Sequence, residues 1–139
     1  MRLRIPNRLE DVFLALERAD GALDRAEVDS ACRADVRLVL EELLVNTVRH
    51  GYPDGREGSI DIAIEVTTDM VRLELRDDAL PFDPLDQDPP HLPGDIARRD
   101  IGGLGLHLAR NIASDINYAR DAHGNRVVIL FDPSSESAP

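Results

Sequence analysis

The chain has 139 residues, enough for one compact domain and too few for two with separate cores. With 42% apolar residues and only 4% aromatic ones, a core of aliphatic side chains is expected rather than general disorder. Sixteen basic against 27 acidic side chains give a net charge of -11, which repels nucleic-acid phosphates and anionic lipid headgroups, and a single cysteine, Cys32, leaves neither an internal disulfide nor a cysteine-rich zinc module.

Glu10, Asp11 and Glu17 interrupt the N-terminal stretch, so it reads as neither a signal-peptide core nor a membrane span. The expected protein is soluble and cytoplasmic, with neither nucleic acid nor membrane among its partners. From Leu9 to Ala22 the apolar residues Leu9, Val12, Phe13, Leu16 and Ala19 recur at helical spacing, with Asn7 placed to cap the helix. A longer helical pattern follows from about Asp29 to His50, with Val36, Val39, Leu40, Leu43, Leu44, Thr47 and Val48 on one broad face, and Gly51, Tyr52 and Pro53 stop it.

Ile60, Ile62, Ile64 and Val66 then alternate with polar residues, as do Val71, Leu73 and Leu75, which predicts two half-buried strands joined as a hairpin. The stretch from about Ala79 to Asp100 contains five prolines and is too long for an ordinary connection, marking it as a candidate functional loop. Gly102 to Ser114 reads as a glycine-rich turn opening a third helix. Two final strands, Ile116 to Asp121 and Arg126 to Phe131, close the chain around the turn His123-Gly124-Asn125. This order does not alternate single helices with parallel strands. The predicted fold is α+β, a two-layer sandwich with three helices on one face of a mixed four- to five-stranded sheet. Residues 1–133 form the expected domain, with 134–139, SSESAP, as a disordered tail.

Three groups of residues carry candidate chemistry. Glu42 and Asn46 are spaced i, i+4, about 40° apart around a helix. A carboxylate there can take a proton from an attacking hydroxyl, and an amide oxygen one turn on can coordinate a hard cation such as Mg²⁺; the plain alternative is a solvated helix face. Asp77 shares the parity of Val71, Leu73 and Leu75, which places a carboxylate on the core-facing side at a strand end. It needs a donor, either from a ligand such as adenine's exocyclic amine or from the turn it would cap. Residues 101–108, IGGLGLHL, allow close backbone approach to an anion at a helix N-terminus, although the same glycines also serve as a tight helix entry. This run is neither a dinucleotide fingerprint nor a P-loop. His50, His91, His107 and His123 have no ligand spacing with each other or with Cys32.

The order of these pieces resembles the GHKL ATPase superfamily, and most closely its anti-sigma factor serine/threonine kinases, over about Leu9 to Phe131. LEELLVNTVRHGY at 40–52, LRDDALPFDP at 75–84, IGGLGLHLARNIAS at 101–114 and Gly124-Asn125 carry the resemblance. It implies the histidine-kinase-like ATPase (Bergerat) fold, with ATP and Mg²⁺ as cofactors. By the same resemblance Glu42 would be the general base and Asn46 the Mg²⁺ ligand. Asp77, Ala79 and Asn125 would lie at adenine, residues 84–100 would be the ATP lid, and Gly103, Leu104, Gly105 and Leu106 would line the phosphates. The chain departs from the family pattern with Asp77-Asp78-Ala79 in place of D-x-G and with Asn125 where many relatives carry Thr. Arg98 and Arg99 are the basic pair of the lid. The implied activity is transfer of ATP's γ-phosphoryl group to a serine of an anti-anti-sigma partner, together with sequestration of a sigma factor, and a homodimer is left open. The alternative is a non-catalytic regulator on the same fold that binds its partner with or without nucleotide.

Overall fold

The computed structural model describes residues 1–81 and 111–133. Its elements are β1 (Arg2–Pro6), α1 (Leu9–Arg25), α2 (Ser30–His50), β2 (Ser59–Val66), β3 (Val71–Asp77), β4 (Asp115–Asp121) and β5 (Gly124–Phe131). The strands form one sheet in the order β1-β2-β3-β5-β4. Every pairing in it is antiparallel, so the expected mixed sheet is corrected to an antiparallel one.

Connectivity explains that direction. The α1-α2 hairpin returns the chain to the end of the sheet where β1 finished: Asn7 N–H donates to the Gly58 carbonyl at 3.2 Å, just ahead of β2. β2 must therefore run opposite to β1. The strand β1 was not expected, because only Leu3 and Ile5 alternate inward within its five residues, too short a run to read as a pattern. Asn7 does not cap α1 as expected. The N-cap position is Arg8, without a side-chain bond, and Asn7 instead donates to Arg56 O at 3.1 Å and accepts from Gly58 N at 3.0 Å. Asp29 does cap α2, accepting from Ala31 N at 3.1 Å.

The helices bury Val12, Ala15, Leu16, Ala19 and Leu23 of α1 and Cys32, Val36, Val39, Leu40, Leu43 and Leu44 of α2 against one face of the sheet. Each such side chain contributes roughly 1.5–3 kcal/mol where it is a fully buried Val, Leu or Ile. Leu9 and Phe13, expected on the apolar face of α1, are exposed at 40% and 58%, because the buried stripe is centred on Val12, Leu16, Ala19 and Leu23. Arg33, in the first turns of α2, donates to both oxygens of Asp20 (3.2 and 3.1 Å) and to Asp24 (3.1 Å), tying the two helices together. No helix among the described residues is long and apolar enough to cross a membrane.

The third predicted helix lies mostly outside the described residues; only its end, Asn111 and Ile112, is helical among them. The tail 134–139 also lies outside them. On the sheet face away from the helices, Glu74 accepts from Arg72 (2.8 Å), Arg76 (3.0 Å) and Arg126 (3.2 Å).

Candidate functional site

Strict register across the sheet builds the site. Ile5 pairs with Ile60, Ile60 with Asp77, Asp77 with Asn125, and Asn125 with Arg120, so one transverse row crosses all five strands. The row below it runs Leu3, Ile62, Leu75, Val127 and Tyr118. The first row is hydrocarbon as far as β2 and polar from β3 onward. Opposite this change stands the C-terminal half of α2, and between them is a pocket lined by Leu43, Asn46, Thr47, Gly51, Leu75, Asp77, Ala79, Asn125 and Val127. Apolar walls with a few convergent polar groups are the usual character of a small-molecule site.

Asp77 holds the inward position that its parity predicts. Its Oδ1 accepts from Ala79 N at 3.0 Å and from Asn125 Nδ2 at 2.9 Å, and among the described residues nothing engages Oδ2. One oxygen thus caps the turn, as the second sequence reading has it, and the other remains an acceptor. Burial raises the Asp77 carboxyl above its ordinary range, the bonds from Asn125 and Ala79 opposing it.

Next to it, Asp78 points out of the pocket to brace the turn. Its Oδ1 accepts from Tyr52 OH at 2.7 Å and Ser59 N at 3.1 Å, and its carboxylate lies 3.6 Å from Arg56. Although burial acts to raise it, the bonds from Tyr52 and Ser59 hold the Asp78 carboxyl below the usual range. At the far side of the pocket, Gly124 has φ 129°, and a Cβ there would lie 1.9 Å from Asp77 O; only glycine allows the strands to meet there.

Asn46 is buried at 5% exposure, and its Nδ2 has no hydrogen-bond partner among the described residues. An unsatisfied buried amide costs roughly 1–3 kcal/mol, so its retention at a pocket wall points to a ligand. Glu42, one turn earlier, is half-buried. Burial raises its carboxyl above the ordinary range, Glu41 adds to the rise and Arg49 opposes it. That is the direction a general base requires.

Ala79 is 2% exposed, lining the pocket while packing on Gly51. Gly103, Leu104, Gly105 and Leu106, the lid 84–100 with Arg98 and Arg99, and also His91 and His107, lie outside the described residues. Sequence reading did not single out Tyr118 or Arg120, whose side chains bond the amide of Asn125 at 2.5 and 3.0 Å. Their shared parity with Ile116 was the available signal. Tyr52, read as part of a helix stop and of the motif at 40–52 but given no role of its own, is buried and holds Asp78.

Comparison with known proteins bears on the family and the fold. Over 123 residues the chain is 24% identical to the serine-protein kinase RsbW of Listeria innocua, covering 86% of this chain and 78% of that one. Against the protein of the same name from Staphylococcus aureus strain JH9 it is 25% identical over 132 residues, covering 88% and 80%. Among solved structures, the histidine kinase domain of the Erythrobacter litoralis EL346 blue-light activated histidine kinase superposes with a TM-score of 0.54 at 16% identity, covering 90% of this chain and 62% of that one. The RsbU and RsbW domains of a Mycobacterium tuberculosis protein superpose with a TM-score of 0.62 at 16% identity, covering 95% and 32%. The chain thus spans less than two thirds of either solved chain, and the likeness to them is one of fold. The family described as the histidine kinase-like ATPase domain matches residues 5–131, from within β1 to the last residue of β5, and the chain belongs to that family.

Proposed function

We propose that the protein binds ATP with Mg²⁺ in the pocket between α2 and the β3-β5 pair and transfers the γ-phosphoryl group to a serine of a protein partner, as an anti-sigma type kinase. The observation that carries this reading is the pairing, at one pocket, of a half-buried carboxylate with one oxygen unengaged among the described residues and a buried amide whose N–H2 has no partner among them: Asp77 Oδ2 and Asn46 Nδ2. The first suits the amino group of adenine. Leu43, Leu75 and Val127 supply apolar contact for the base.

The second, a donor as it stands, suits a phosphate oxygen, and the same amide turned over suits an oxygen-seeking cation. Because the Asn46 N–H2 makes no bond among the described residues, the amide can turn its oxygen toward a ligand without giving up an N–H2 bond to them. Asn46 would hold Mg²⁺, with Glu42 on the same helical edge. When bound, Mg²⁺ supplies charge neutralisation at the phosphate oxygens. Glu42, with its carboxyl raised by burial, would accept the proton of the attacking serine hydroxyl. The chain contains no lysine, so any cationic side chain at the phosphates is an arginine or a histidine.

An anti-sigma kinase meets two partners, a serine-bearing anti-anti-sigma protein and a sigma factor, and the 24% and 25% identical RsbW kinases support that assignment. Ala79, which stands where the family pattern has glycine, slightly favours the non-catalytic alternative on sequence alone. Its methyl group packs against Gly51, which lacks a side chain, so the substitution does not argue against a nucleotide. The deciding experiment is calorimetric titration with Mg-ATP together with transfer of radiolabelled phosphate to a serine-bearing partner protein. Binding with transfer is expected. Binding without transfer to a verified partner would favour the non-catalytic regulator, and no nucleotide binding would reject the proposal.

A further inference from the structure

Asn125 is 4% exposed, and its amide is a junction. Its Nδ2 donates to Asp77 Oδ1 (2.9 Å), to Leu80 O (2.8 Å) and, at longer range, to Ala79 O (3.4 Å). Its Oδ1 accepts from Tyr118 OH (2.5 Å) and Arg120 Nη1 (3.0 Å). Exchanging the two ends would set an oxygen among three oxygens and an N–H2 against a guanidinium, so the chemistry of the neighbours fixes the amide's orientation. Arg120 Nη1 also donates to Ala79 O at 3.1 Å, tying edge strand β4 to the turn after Asp77.

The effect on Asp77 is specific. Asn125 and Ala79 N both donate to Oδ1, which fixes the plane of the carboxylate and leaves Oδ2 for the pocket. An aliphatic residue at 125 would hold the strand as well and would let this plane rotate.

We propose that Asn125 is a positioning residue for recognition of the purine amino group, acting through Asp77, and that Tyr118 and Arg120 set its orientation. Asn125 thus reads the base indirectly, through the carboxylate it holds. The proposal rests on the adenine assignment made above. The class of ligand it selects is a 6-aminopurine nucleotide, against a 6-oxopurine that would set an acceptor against Oδ2 and against a purine with no substituent there.

The test is titration of the full chain with the Mg²⁺ complexes of ATP, GTP and purine riboside triphosphate, which lacks the amino group. Wild type should prefer ATP to purine riboside triphosphate by about 10- to 100-fold, the range for one hydrogen bond to a charged group. Asn125→Ala should lower ATP affinity about tenfold or more while leaving purine riboside triphosphate nearly unchanged, so the preference collapses. A merely structural role would weaken all three nucleotides together. Asn125→Thr, whose hydroxyl can still donate to the Asp77 carboxylate, should recover part of the preference. Tyr118→Phe and Arg120→Gln, altered on an edge strand, should each reduce it about threefold and keep the chain folded should Asn125→Ala fail to fold. An unchanged preference in Asn125→Ala, or in both edge-strand variants if that protein does not fold, would overturn the proposal. Wild type that binds ATP and purine riboside triphosphate equally would instead overturn the adenine assignment itself.

Discussion

Gly51 and Ala79 divide one space between them: a Cβ added to Gly51 would lie 2.6 Å from the Ala79 methyl and equally close to Thr47 O. Gly51→Ala should therefore destabilise the fold by roughly 1–3 kcal/mol, the usual cost of overpacking. Ala79→Gly should cost about 1 kcal/mol through the lost methyl and the freer backbone, and should leave Mg-ATP affinity within about threefold of wild type. Urea unfolding with nucleotide titration of both variants checks the pair. A large gain in ATP affinity for Ala79→Gly would show that the methyl obstructs the base after all.

Asn46→Leu separates stability from ligand binding. Removing an amide whose N–H2 has no partner among the described residues and adding a better helix former should hold or raise the unfolding free energy, by up to about 1 kcal/mol. The same change should abolish the difference between ATP affinity measured in Mg²⁺ and in EDTA. A wild type that shows no such difference would remove the metal role from Asn46.

Glu42→Gln should keep ATP affinity and cut phosphoryl transfer by roughly 10²- to 10⁴-fold. The base acts when ionised, so the wild-type rate should rise with pH. Because burial raises the Glu42 carboxyl above its ordinary 4.5, the rising limb should be displaced above that value. Transfer by the variant at the wild-type rate would reject Glu42 as the base.

Glu74, on the open face of the sheet, gives a stability prediction independent of nucleotide. Burial acts to raise its carboxyl, but bonds from Arg76, Arg72 and Arg126 hold it down at about 2, against 4.5 for a free glutamate. A depressed folded-state value means that the contribution is fully present above about 4.5 and is lost as pH falls toward 2. Glu74→Gln should thus unfold at lower urea than wild type at neutral pH, and the gap should narrow as pH falls through that window. A gap of constant size would show that the carboxylate's charge is not what the three arginines hold.

Much of this fold is visible in the pattern of side chains. The alternation in 60–66 and 71–77 sets the inward face of β2 and β3, and carries Asp77 to the pocket by parity alone. The helix boundaries of α2 follow from Asp29 and the stop at Gly51. What escaped the sequence depends on neighbours distant along the chain. Phe13 fits the apolar spacing of α1, yet the packing of α2 and the sheet selects a stripe through Val12 and Leu16. Asn46 looks like a surface residue on its helix and is buried because the β3-β5 end of the sheet covers that edge. The roles of Tyr118 and Arg120 depend on β5 lying between β3 and β4, and no local pattern specifies that strand order.

The two edges of the sheet carry unequal consequences. β1 contributes Leu3 and Ile5 to rows that are hydrocarbon at that side, so its separation from β2 would cost packing, ladder bonds and the Arg4–Asp61 pair but no polar group of the pocket. β4 is mostly solvent-facing and is the strand with the least buried surface to retain it, yet it holds both donors to the Asn125 oxygen. Fraying at β4 would withdraw the two together and release the carboxylate plane, taking from the core only the partly buried Ile116 and Tyr118 at its margin. Amide exchange along β4 is therefore a gauge of the pocket's readiness, one that can be read with no ligand added.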